Sequence, residues 1–70
     1  MLNTTYRILE ELLQITAKLS ELNPNDAKVY YLRGILKHIL GEKDSGCLDF
    51  SKASELGYEA AYDAIKELCN

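Results

Sequence analysis

No helix can run through Asn23-Pro24-Asn25-Asp26, and this stretch sets the first hard limit on how the chain folds. Proline has no N–H to donate and disfavours helical geometry in the residue before it, while Asn25 or Asp26 offers a side-chain oxygen to cap a new helix. A second helix is therefore expected over 27–40, carrying Val29, Tyr30, Tyr31, Leu32, Ile35, Leu36, Ile39 and Leu40. Gly41 follows it, the residue type best able to take the left-handed conformation just past a helix end. Asp44 or Ser45 then offers a cap for a third helix over 44–56, whose stripe of Cys47, Phe50, Ala53, Ser54 and Leu56 ends at a second stop, Gly57. Upstream, a helix over 4–22 with Asn3 or Thr4 as its cap carries Ile8, Leu12, Ile15, Leu19 and Leu22 at steps of four and three. Leu9, Leu13 and Ala17 widen that face. Downstream, a helix over 59–68 puts Tyr58, Tyr62, Ile65 and Cys69 on one face, joined by Ala61 and Leu68, with Glu59, Asp63, Lys66 and Glu67 as a polar outer side. The expected fold class is all-α, with about four short helices in antiparallel order.

Composition narrows the function classes. With 47% hydrophobic residues the chain is too apolar for disorder, and 70 residues make one domain at most, with a small core. Its apolar runs are too short for a membrane span, and glutamates interrupt the region where a signal peptide would be apolar. A cytoplasmic location is the default expectation, and a periplasmic one if the chain belongs to an exported protein. A net charge of −3 with both signs interspersed lacks the clustered lysine and arginine of a phosphate-binding face, so nucleic acid is not an expected partner.

The segment from Pro24 to Gly57 resembles the tetratricopeptide repeat, a helix-turn-helix unit of about 34 residues read as W-x2-L-G-x2-Y, then A-x3-F, then P. Tyr30 takes the tryptophan slot, Gly34 the glycine slot, and Gly46-x3-Phe50 keeps the spacing of A-x3-F, with Ala53 following. Pro24 fills the closing-proline slot of a preceding repeat. The departures are Arg33 for leucine, Lys37 for tyrosine, Gly46 for alanine and Tyr58 for the last proline. The run from Leu36 through Ala53 is similar to the last repeat of bacterial members of this family, which a short capping helix follows. The resemblance implies three parts in one domain: a second helix without its first over 4–22, a complete repeat over 26–57 and a cap over 58–69. An ordinary amphipathic helix packed on the hairpin is the alternative for 4–22.

It also implies an interaction module that binds a protein or peptide on the groove-facing side of helix 27–40, where Lys28, Tyr31, Ile35 and His38 lie with Ile39 beside them. The alternative is that the first and last helices fold over these side chains and make them core. Recognition of acidic carboxyl-terminal tails is not expected, since Tyr31, Leu32 and Ile35 stand where polar clamp residues would be needed. About three repeats normally build a continuous core, so a second reading is a structural or self-associating unit in which another copy completes the face of Leu9, Leu13, Tyr31, Ile35 and Ile39.

Little chemistry beyond binding is visible. In an antiparallel hairpin turning at Gly57-Tyr58, Cys47 lies about as far before the turn as Cys69 lies after it, and the constant helical rise brings them to one level. They are a candidate disulfide, and two reduced, half-buried thiols are the alternative. His38 is the only histidine, without a partner set for acid-base or nucleophilic work, so no enzymatic activity is expected. One histidine and two cysteines lack the paired spacing of a zinc site, and the glycines form no phosphate loop, so no metal or cofactor is expected.

Overall fold

The computed structural model describes residues 4–69, all of whose regular structure is helical. Four helices follow in order: α1 Thr4–Leu22, α2 Ala27–Ile39, α3 Lys43–Glu55 and α4 Glu59–Leu68. Each packs chiefly on the next in sequence, and the resulting slab measures 40 × 30 × 15 Å between Cα atoms. Among the described residues no helix is long and apolar enough to cross a membrane.

The ends of α2 and α3 are set by local chemistry. Lys28 N–H donates to the Asp26 side chain at 3.1 Å, which makes Asp26, of the two expected candidates, the cap of α2. Both helices close in the same manner. Gly41 (φ 88°) and Gly57 (φ 98°) take left-handed geometry, and the next N–H reaches back five residues, Glu42 to the Lys37 carbonyl at 2.7 Å and Tyr58 to the Ala53 carbonyl at 3.1 Å. The start of α3 differs from expectation. It begins at Lys43 behind Glu42, which makes no side-chain cap, so Asp44 lies inside the first turn and Ser45 turns to Lys37 instead. Thr4 is the first residue of α1, inside the helix, and Asn3 lies outside the described residues.

At the centre, α2 and α3 touch backbone to backbone. A Cβ on Gly34 would stand 2.8 Å from two Phe50 ring carbons and 2.9 Å from the Gly46 carbonyl oxygen, and a Cβ on Gly46 would stand 2.8 Å from the Gly34 carbonyl oxygen. The two glycines therefore admit each other's helix. Phe50 fills the space beside them and is 0% exposed; Leu36, Ala53 and Ala61 complete the fully buried apolar set among the described residues.

α1 lies the other way round from its pattern. Its buried residues are Thr16 and Ser20, with Leu9, Leu13 and Ala17 half-buried, and this is the side toward α2. The stripe of Ile8, Leu12, Ile15, Leu19 and Leu22 is exposed, from 38% at Leu19 to 65% at Leu22. The buried hydroxyls bond within their own helix: Thr16 donates to the Leu13 carbonyl at 2.9 Å and Ser20 to the Ala17 carbonyl at 2.7 Å. They are thereby satisfied without solvent.

Gly34→Ala tests the central contact. Helix propensity alone would favour alanine by about 1 kcal/mol. Overpacking against Phe50 and the Gly46 carbonyl should instead cost about 1–3 kcal/mol, lowering the thermal midpoint followed by far-UV circular dichroism by at least about 4 °C.

Candidate functional site

The side chains of α2 singled out by the sequence are spread over several environments. Tyr31 is half-buried, its ring centroid 5.8 Å from Phe50 and 5.0 Å from Tyr58, tilted against both. It stands in a groove of about 320 Å³ shared with α4, lined also by Ala60, Asp63, Ala64, Glu67 and Leu68. Ile35 and His38 are half-buried, and the His38 Nδ1 is enclosed with no hydrogen-bond partner among the described residues. Lys28 and Ile39 are exposed. Of these residues Tyr31 alone lines the groove, and the rest of the lining comes from α4. Asp63 and Glu67, expected on an outer polar side, form its acidic wall; Tyr62, expected on the packed face, is exposed with the Lys66 Nζ 5.6 Å from its ring centroid. Asp63 also borders a neighbouring cavity of about 320 Å³ beside Tyr58 and Tyr62.

On the other side of α2 a charged cluster joins α1, α2 and α3. The Arg33 Nε donates to Asp49 Oδ2 at 2.9 Å and its Nη2 to Oδ1 at 2.7 Å, a two-pronged pairing that fits the guanidinium fork. Its Nη1 donates to Ser20 Oγ at 2.8 Å. One helical turn on, the Lys37 Nζ lies 3.1 Å from Asp49 Oδ2 and donates to Ser45 Oγ at 2.7 Å. The Asp49 side chain is only 7% exposed, so two cations share one nearly buried carboxylate. The hydrogen bonds donated to Asp49 raise the Arg33 pKa above its ordinary value; burial opposes this, and the Asp49 charge adds to it. A raised pKa means the contribution is complete below the unfolded-state value and is lost only as pH climbs through the folded one. Arg33 itself therefore adds no pH dependence across the neutral range.

Sequence reasoning marked Arg33 and Lys37 as departures from a pattern and passed over Asp49 and Ser20. A signal was present: two cations one turn apart, in slots where leucine and tyrosine would face inward, require an anion on the facing helix.

Cys47 and Cys69 are bonded to each other, with Cα atoms 6.0 Å apart and a sequence separation of 22. The bridge fastens the end of α4 to α3 and so holds the acidic wall of the groove in place. Among the described residues no group of three or more His, Cys, Asp or Glu side chains is placed to hold a metal ion.

The geometry itself defines an all-α unit of four helices with an open acidic groove and, apart from it, a nearly buried charge cluster. Comparison with known proteins adds no relative: no family model, no curated protein and no solved structure matches the chain.

Two measurements examine these supports. Asp49→Asn leaves Arg33 and Lys37 facing a neutral amide and should cost about 3–5 kcal/mol in urea unfolding. The triple change Arg33→Leu, Lys37→Tyr and Asp49→Leu should cost less than Asp49→Asn alone, because no buried charge is left unpaired. Reduction, or Cys69→Ser, should lower stability by about 3 kcal/mol from the loss of loop restraint, read as a lower urea midpoint with α4 losing amide protection first.

Proposed function

We propose that the chain is a non-catalytic protein-interaction module of tetratricopeptide type, whose groove takes a peptide segment bearing a cationic side chain next to an apolar one. The observation that carries this reading is the groove itself: an aromatic floor at Tyr31, small apolar positions at Ala60 and Ala64, and carboxylates at Asp63 and Glu67. An aromatic face beside two acids suits lysine or arginine, whose stem packs on the ring while the head meets carboxylate. The acidic wall disfavours an anionic tail.

The repeat assignment is supported by the glycines. Gly34 and Gly46 stand in the slots where the family's paired helices approach, and in this chain they are the positions with no room for a Cβ. The two departures on α2, Arg33 and Lys37, converge on the Asp49 carboxylate, which gives both cations a counter-charge in slots that are otherwise apolar. In this reading α1 is a repeat's second helix, α2 and α3 are the complete repeat, and α4 is the cap.

The test is a titration of the isotopically labelled, oxidised chain with short peptides of matched length, one alternating leucine and lysine, one alternating leucine and glutamate. The cationic peptide is expected to shift the amide signals of Tyr31, Ala60, Asp63, Ala64 and Glu67, with affinity falling as salt rises. Asp63→Asn with Glu67→Gln, both exposed positions, should weaken binding without altering helix content. Equal response to both peptides, or shifts elsewhere only, would remove this assignment of the groove.

A further inference from the structure

We propose that α1 is a self-association surface that pairs antiparallel with α1 of a second copy, about a two-fold axis level with the middle of the helix, between Leu12 and Ile15. This interface shares no residue with the groove and stands or falls independently of it.

Two observations carry the proposal. The first is the reversed burial of α1. Its apolar stripe of Ile8, Leu12, Ile15, Leu19 and Leu22 points to solvent, while α2 receives the opposite flank through Thr16 and Ser20. Steps of four and three are the spacing of a helix that buries a seam against another helix, and that seam has no partner within the described chain. Under the two-fold relation Leu12 of one copy lies level with Ile15 of the other, Leu19 with Ile8, and Leu22 with Thr5. Large apolar side chains thus meet along most of the seam.

The second observation is the charge order beside the stripe, on the side away from α2. Arg7, Glu11, Gln14, Lys18 and Glu21 are all exposed and read plus, minus, neutral, plus, minus. Of these, Glu11 and Lys18 border the stripe, while Arg7, Gln14 and Glu21 stand further round the helix, and the antiparallel relation sets the two bordering charges beside their opposites. Glu11 of one copy meets Lys18 of the other, and the pair occurs twice by symmetry. A parallel pairing would set this flank beside Leu9 and Thr16, and no charge would find a partner. Within one chain these groups are held loosely, Arg7 Nε to Glu11 Oε1 at 3.8 Å and Lys18 Nζ to Glu21 Oε2 at 4.0 Å, with side chains 67% to 77% exposed. They are available for an intermolecular contact, and complementary charge at a helix pair sets register and orientation.

The experiment is sedimentation equilibrium of the oxidised chain over a wide concentration range, alone and as charge variants. E11K carries lysine at both flank positions, 11 and 18, and K18E carries glutamate at both. Each variant by itself opposes like charges twice in the dimer, whereas a mixture of the two opposes unlike charges twice. The expected result is a wild-type dimer, weakened roughly tenfold in Kd by either variant and restored in the equimolar mixture. Ile15→Glu should abolish it with unchanged far-UV circular dichroism. A wild-type chain that stays monomeric to millimolar concentration, as it would if the stripe received a different helix, overturns the proposal. So does a dimer indifferent to E11K and K18E, a mixture no tighter than its parts, or a dimer that survives Ile15→Glu.

Discussion

The carboxylate of Asp49 is the point on which the arrangement of three helices depends. It lies on α3, takes both prongs of the Arg33 guanidinium and the Lys37 ammonium from α2, and through Arg33 reaches Ser20 on α1. A slab only 15 Å through along its thinnest axis has little interior, and the described residues bury few apolar side chains fully. Apolar packing alone would leave the sliding of one helix along another weakly opposed. A bidentate pair is directional and fixes the register of α2 against α3. A buried ion pair gains little net free energy over a well-packed apolar set, because desolvation offsets most of the attraction. Its contribution here is chiefly to specify one arrangement, with a large penalty for breaking only half of it.

The glycine contact and the charge cluster act together. Because Gly34 and Gly46 carry no Cβ, α2 and α3 approach closely enough for Arg33 and Lys37 to reach Asp49 with short, well-directed bonds. Phe50, adjacent to Asp49 in sequence, closes the apolar side of the same junction, and Tyr31 packs on it from the groove. The floor of the groove is therefore continuous with the core. An alteration at the helix crossing is felt at Tyr31 without any contact to a bound segment.

The helices were legible in the sequence because their ends carry local chemistry. Pro24, Asp26, Gly41 and Gly57 each do one thing the backbone requires at that place, and a short-range signal can be read one residue at a time. The α3 start was misplaced for the converse reason, since Glu42 precedes that helix without a side-chain cap and Asp44 and Ser45 imitate one. The level match of Cys47 and Cys69 followed from helical rise alone. Two features depend on distance in space and were not legible. Periodicity finds the stripe on α1 but cannot say whether the neighbour that meets it belongs to the same chain, and Thr16 with Ser20 made an unpromising contact face until Arg33 supplied a reason for it. Asp49, between Leu48 and Phe50, reads as an ordinary polar position until the two cations of α2 are asked where their counter-charge lies. The groove wall on α4 was read as outer surface because Asp63 and Glu67 are solvated, and solvated residues line grooves as well as outer faces.

The fastenings at the two ends of the molecule differ in kind. α4 is covalently tied to α3 through Cys47 and Cys69, and α1 is held to α2 partly through a polar contact, Arg33 to Ser20. The first fastening is insensitive to salt and open to thiol reductants; the second ignores reductants and yields to whatever competes for a guanidinium. Solvent composition thus chooses which end of the chain loosens first. The wall of the groove and the apolar stripe of α1 sit on opposite sides of that choice, so a change of redox environment and a change of ionic environment reach different surfaces of the same small fold.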